Sequence, residues 1–492
     1  MADENAMKTP IVGRLKELGI LRELLKTSKA ELLAIYGRRR VGKTFLVRNF
    51  FENEPCKFFY CSGLKEGKIA DQLDEFSKQI GKTFYNGASI AIREKWLDVF
   101  EDLNKALEQI PKGKKVVLFF DELPWMATPR SKLLQALDYY WNRYWSHNQR
   151  LKLIICGSSA SWIINNIINN KGGLYNRVTR TISLEPFSLK EVNLFLSNQG
   201  LRLSQNQVLE IYMILGGIPY YLNLLRKSLS IAQNIDELCF QKNGALVREF
   251  ERLFSSLFDN SETYISLIRV IAKYTYGVGQ AQLIKESRAP DGGGTKRKLK
   301  ELENAGFIDE FIPLGHQGKG VYYRVIDEFT LFYLKWMEPN LRTILKQSQS
   351  GDYWLAKIKS PHWRSWAGLA FESICYKHLA QIQKALNIPA GADVGVWRYA
   401  PRKQDYKGAQ IDLLIDRTDK AVTICEIRFN EQPFSIDKDY AYNLINKIET
   451  YKKLTKTTKQ LFLAMIVASG LKPSMYSEEI VHNVVTLEDF FK

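Results

Sequence analysis

Three short stretches of this chain carry residue types whose spacing points to chemistry. Gly37-Arg38-Arg39-Arg40-Val41-Gly42-Lys43-Thr44 has the two glycines, lysine and hydroxyl of a loop that wraps phosphate. Gly37 and Gly42 permit backbone angles that turn amide N–H groups toward an anion, and the helix expected to follow aims its positive end at the same place. Lys43 is expected to reach the β- and γ-phosphates of ATP and the Thr44 hydroxyl to ligate Mg²⁺, with the loop through Phe45 forming the nucleotide site. Asp121-Glu122 closes the apolar run Val116–Phe120. From the tip of a neighbouring strand, Asp121 would hold Mg²⁺ through water and Glu122 would orient or deprotonate the attacking water. Arg177 or Arg180 could stabilise charge on the transferring phosphoryl group, and Arg177 is preferred because Arg180 belongs to the strand Val178–Leu184. Gly157-Ser158-Ser159 is either a polar sensor of the γ-phosphate or an ordinary turn.

The third stretch is acidic. Asp416-Arg417-Thr418-Asp419-Lys420 is a polar turn between two runs of β character, Gln410–Ile415 and Ala421–Phe429. Asp412 stands seven residues before Asp419 and Glu426 seven after it, so the two carboxylates should be cross-strand neighbours. Alternation puts Arg428 on the face of Glu426. Adjacent carboxylates repel unless a divalent cation lies between them, and oxygen ligands suit Mg²⁺ or Mn²⁺.

The elements that must position these residues are legible in the hydrophobic pattern. Residues 14–28 have helical spacing, and Leu32–Tyr36 is an unbroken apolar run that reads as a buried parallel strand. Helices are expected over 68–80 and 94–110, and a further strand over Leu151–Cys156. In the middle, a helix over 264–273 and a short one over 282–286 precede Gly292-Gly293-Gly294. Thr295 is expected to N-cap a third helix that stops at Gly306. Phe307–Ile312 and Val321–Val325 then form a hairpin through residues 315–320. Three helices and a hairpin resemble a winged helix-turn-helix, and Lys296, Arg297, Lys298 and Lys300 crowd the start of its third helix, where phosphates and base edges of DNA would be met.

Composition bounds these readings. A chain of 492 residues implies about three domains. With 45% hydrophobic and 25% charged residues it is an ordinary globular sequence, which excludes disorder, collagen and small disulfide scaffolds. The net charge of +17 favours a polyanionic partner. The six cysteines form no CxxC pair, the N-terminus lacks the pattern of a signal peptide, and no apolar run reaches about 18 residues. A cytoplasmic protein with no membrane partner is expected.

The box Ile11-Val12-Gly13-Arg14 with Glu17-Leu18, the Gly37–Thr44 loop, Asp121-Glu122 and Gly216-Gly217-Ile218-Pro219-Tyr220-Tyr221-Leu222 together resemble an archaeal and bacterial ATPase family related to AAA+ and STAND proteins. That resemblance implies that Gly13 and Arg14 lie near the adenine and that the Gly-Gly-x-Pro segment begins a lid over the nucleotide. Self-association through the ATPase domain is a separate expectation. Gly408-Ala409-Gln410-Ile411-Asp412 with Cys425-Glu426-Ile427-Arg428 resembles the PD-(D/E)XK nuclease superfamily, in a C-terminal domain attached to this ATPase family. The second resemblance implies that Asp412 and Glu426 hold a metal, and that Glu372 on an upstream helix, Trp366–His378, adds a third acid. Arg428 stands where that pattern has lysine; it cannot deprotonate near neutral pH, so a clamp on phosphate is the role left to it.

The expected architecture is therefore α/β: a P-loop NTPase core over residues 1–187 and a helical lid over 188–260, followed by a winged-helix domain over 261–345. A restriction-endonuclease-like α/β domain over 350–492 completes it. The expected function is a Mg²⁺-dependent, ATP-hydrolysing switch acting on DNA. The alternative is a DNA-binding regulator or defence-related switch with slow turnover and an inactive docking domain.

Overall fold

The computed structural model describes residues 10–169, 172, 174, 176–314, 320–346, 353–389, 391–399 and 409–492. The chain forms two compact units, Met1–Pro186 and Phe187–Lys492. The hairpin loop 315–319 and Gly408, both named above, lie outside the described residues.

The first unit is built on strands β1 (Glu31–Tyr36), β2 (Cys56–Ser62), β3 (Lys115–Asp121), β4 (Leu151–Gly157) and β5 (Arg180–Ser183). They form one sheet in the order β2-β3-β4-β1-β5, and every pairing in it is parallel. Leu32, Leu33, Ala34 and Ile35 are fully buried, as a strand covered on both faces requires. Alternate residues of β1 to β4 meet the apolar faces of helices Ile69–Phe84, Trp96–Glu108 and Leu133–Arg143. There Phe120 lies 5.2 Å from Phe76 and 5.9 Å from Phe100, ring centroid to centroid. One expectation is corrected. The Asp121 strand is not the immediate neighbour of the loop-bearing strand, because β4 pairs with both and separates them. The runs 116–120 and 151–156 are both fully buried, the second with Lys152 inside it, so burial alone does not rank their order.

The second unit starts with helices Leu189–Asn198 and Gln205–Leu215, each opened by a serine capping box, at Ser188 and Ser204. Helices Ser261–Ile271, Gln280–Ser287 and Gly293–Asn304 follow, with a small antiparallel sheet of β6 (Val278–Gly279), β7 (Ile308–Phe311) and β8 (Tyr322–Val325) in the order β6-β8-β7. The third helix does not begin at Thr295 as expected. Gly292 is its N-cap, and Thr295 is buried inside the first turn with its hydroxyl donating to the Pro290 carbonyl at 2.6 Å. An internal hydroxyl bond of this kind satisfies the turn and lets glycines begin the helix. Its end is as expected: Gly306 takes φ 75° and the Phe307 N–H donates to the Leu302 carbonyl.

Helix Pro361–Lys377 precedes a mixed sheet of β9 (Asp393–Tyr399), β10 (Ala409–Asp416), β11 (Ala421–Arg428), β12 (Gln460–Val467) and β13 (Asn483–Thr486), ordered β13-β12-β11-β10-β9. β10 and β11 pair antiparallel, while β11, β12 and β13 run parallel, the first two joined through helix Lys438–Thr455.

Candidate functional site

In the first unit the loop between β1 and helix Lys43–Phe51 has the left-handed angles its glycines make possible: Gly37 at φ 144°, Arg40 at 72° and Gly42 at 95°. A Cβ on Gly37 would stand 2.4 Å from the Leu184 carbonyl oxygen, so only glycine fits there. Lys43 is buried, and its Nζ donates to the carbonyls of Gly37 at 2.9 Å and Arg38 at 3.0 Å, which places the ammonium across the mouth of the loop. Arg38 and Val41 are buried, Arg39 and Arg40 half-buried, and Phe45 is exposed.

The Thr44 hydroxyl donates to Asp121 Oδ2 at 2.7 Å, which brings together the two groups expected around Mg²⁺. Tyr60 on β2 also reaches Asp121 Oδ2, at 3.5 Å, with the Arg48 guanidinium 4.9 Å from its ring. Asp121 is buried and, among the described residues, its Oδ1 has no hydrogen-bond partner, an unmatched carboxylate oxygen that suits a water-bound cation. Next to it Glu122 takes φ 47°. Its Oε2 accepts from both the backbone N–H and the hydroxyl of Ser158, each at 2.9 Å. Ser158 thus occupies the position the sequence left open, at the tip of β4, and it holds the carboxylate of Glu122. Tyr60 is a residue the sequence reading missed, because nothing in Cys56–Ser62 singles out one aromatic among three.

Gly13 and Arg14 both have positive φ, 66° and 56°, and open the first helix. The buried Arg14 guanidinium donates to the carbonyls of Glu185 at 2.7 Å and Val41 at 3.1 Å, so it braces the phosphate loop from behind. Arg180 is ion-paired to Glu23 at 2.9 Å and to Glu31 at 3.9 Å. Arg177 is exposed in the turn before β5.

In the second unit Leu413 pairs with Cys425, which sets Asp412 opposite Glu426. Both are buried. Asp412 Oδ2 accepts from the Ile427 N–H at 3.2 Å and lies 3.6 Å from Arg428. Glu426 Oε1 accepts from Arg428 and, at 2.9 Å, from Tyr440, while Oε2 is paired with Lys447 at 2.6 Å. Glu372 comes near from helix Pro361–Lys377. Burial, then the Asp412 charge, pushes its carboxyl up to about 8; burial, then Glu426, raises Asp412 to about 6. Among the described residues no three Asp, Glu, His or Cys side chains form a set that could hold a metal. Lys447 was not anticipated. It sits on the otherwise apolar face Ala441, Leu444, Tyr451 of its helix, and a lysine inside such a stripe was the signal available.

Lys296, Arg297 and Lys300 are exposed and Lys298 is half-buried. Arg297 lies 3.6 Å from Glu301 and Lys300 is 2.6 Å from Glu303, so two of the four charges already have acidic neighbours.

Residues 11–225 match an ATPase domain found predominantly in Archaea. The Gly37–Thr44 loop, Asp121 and Glu122 all lie within that ATPase-domain match. The chain is also similar to the uncharacterized protein MJECL04 of Methanocaldococcus jannaschii, 25% identical over 425 residues that cover 85% of this chain and 88% of that protein. Among solved structures, the Walker-type ATPase PABY2304 of Pyrococcus abyssi covers 66% of this chain and 96% of its own at 20% identity and a TM-score of 0.45. The ORC2 protein of Aeropyrum pernix covers 73% and 98% at 16% identity and a TM-score of 0.45. No helix among the described residues is long and apolar enough to cross a membrane.

Proposed function

We propose that the ATPase domain is a Mg²⁺-dependent switch whose nucleotide state controls a DNA-binding winged helix over 261–345 and a nuclease-like domain over 350–492. The observation that carries this reading is the Thr44–Asp121 hydrogen bond with Glu122 beside it, a hydroxyl from helix Lys43–Phe51 meeting a carboxylate and a base at the end of β3. Bound Mg²⁺ would neutralise charge on the β- and γ-phosphates. Thr44 and Asp121 would hold that ion, the loop N–H groups and Lys43 would hold the phosphates, and Glu122 would accept the proton of the attacking water through the oxygen that Ser158 leaves unbonded. Arg177 is the arginine available to the transferring phosphoryl group, from its own site or from a second copy. Residues 188–260 act as the helical lid.

In the nuclease-like domain Asp412 and Glu426 would take a divalent metal, with Arg428 and Lys447 clamping the scissile phosphate and Glu372 as an outer acid. A second reading is favoured by one feature: both Glu426 oxygens are already bonded, to Arg428, Tyr440 and Lys447. On that reading the domain is inactive and serves docking, and the protein is a DNA-binding regulator with slow turnover. Incubation with plasmid and branched DNA across Mg²⁺ and Mn²⁺ separates the two. Cleavage that disappears in Asp412→Ala and Glu426→Ala supports a nuclease, and no cleavage under any condition supports the regulator.

A further inference from the structure

Helix Ser261–Ile271 with the loop after it, strand β8 and helix Pro361–Lys377 enclose a cleft of about 570 Å³ within the second unit. Its walls combine two chemistries. Tyr276 offers an exposed ring, while Trp366 lines the cleft as a buried ring packed on Trp336 and Trp363, and Tyr376 carries the Arg324 guanidinium over its ring at 3.7 Å. Lys273 and Lys335 are exposed on the lining and make no ion pair among the described residues. The cleft also reaches the carboxylate pair. Glu372 lines it, the Tyr376 hydroxyl donates to the Asp412 carbonyl, and Tyr276 lies within the fields of Glu372 and Asp412.

We infer that this cleft binds a single-stranded polynucleotide, stacking a base on Tyr276 and leading the backbone past Lys273 and Lys335 toward Asp412 and Glu426. An exposed aromatic ring beside two cations without ion-pair partners among the described residues is what a base and its flanking phosphates require. The volume is that of a pocket for one or two nucleotides and excludes a duplex about 20 Å across. The last part of the path rests on the nuclease-like reading above; the binding itself does not.

The test is fluorescence anisotropy of the full chain with labelled oligo(dT), oligo(rU) and a fully paired hairpin of equal length, in EDTA so that no metal contributes. The expected result is tighter binding of the single strands than of the hairpin. Tyr276→Ala should weaken oligo(dT) binding about tenfold and Tyr276→Phe should restore it. Lys273→Ala with Lys335→Ala should flatten the logarithmic salt dependence by about 1.4, two phosphate contacts at roughly 0.7 each. Melting curves superimposable on the parent protein establish that each variant is folded. Equal affinity of oligo(dT) for the parent protein and for both the Tyr276→Ala and the double-lysine variant overturns the assignment, as does preference for the hairpin. Tighter oligo(rU) than oligo(dT) makes RNA the ligand of the same cleft. Binding that survives Asp412→Ala while no cleavage is ever seen leaves the cleft standing and removes only the nuclease.

Discussion

Ser158→Ala isolates one hydroxyl of the proposed ATPase site. Glu122 Oε2 accepts two hydrogen bonds from Ser158, from the N–H and from Oγ, both at 2.9 Å, whereas Oε1 has no bond to a described residue. The substitution removes the second and keeps the first. A hydrogen bond to a charged group is worth about 1.5–3 kcal/mol, and the retained N–H puts the loss at the lower end. That is about tenfold in rate if the bond orients the carboxylate toward water. Phosphate release at saturating ATP should therefore show kcat about tenfold lower with KM within twofold of the parent, and Ser158→Thr, which keeps the hydroxyl, should recover most of it. Unchanged or faster turnover in Ser158→Ala would refute the reasoning, because the bond would then be incidental or would restrain Glu122 away from its task.

Other consequences follow from single contacts. Gly37→Ala forces a Cβ to 2.4 Å from the Leu184 carbonyl at φ 144°, while Gly42, at φ 95°, has open space around its Cβ; urea unfolding should show Gly37→Ala costing at least about 2 kcal/mol and Gly42→Ala about half of that. Folded Glu372 keeps its proton to about pH 8 where an ordinary glutamate ionises near 4.5. The folded state therefore binds more protons than the unfolded one across that window, so stability is greatest at the acid end and falls as pH rises from 5 to 8. Glu372→Gln should remove much of that fall, on the order of 3 kcal/mol, read from denaturant midpoints at the two pH values. For DNA, Lys296→Ala should lower the salt-dependence slope by about one, and Arg297→Ala by less, since Arg297 already has Glu301 at 3.6 Å.

How far the sequence reached depends on whether a feature is local. The phosphate loop, its flanking strand and helix, and the opposition of Asp412 to Glu426 follow from spacing along one hairpin or one turn, and the structure has them in the expected register. The insertion of β4 between β1 and β3 does not follow, because several strands are buried on both faces and only packing decides their order. Ser158 finding Glu122, and Tyr440 and Lys447 finding Glu426, depend on which strand tips and helix faces the fold brings together. Thr295 shows a third kind of limit. Its residue type fits a cap, and a carbonyl five residues upstream took its hydroxyl instead.

If Gly37–Thr44, Asp121 and Glu122 form a working ATP-hydrolysing site, paired binding and turnover measurements on two variants separate its parts. Lys43→Ala should lose ATP binding, and Glu122→Gln should bind ATP as the parent protein does yet release phosphate at least about a hundredfold more slowly. Hydrolysis at the parent rate in both variants would contradict the account.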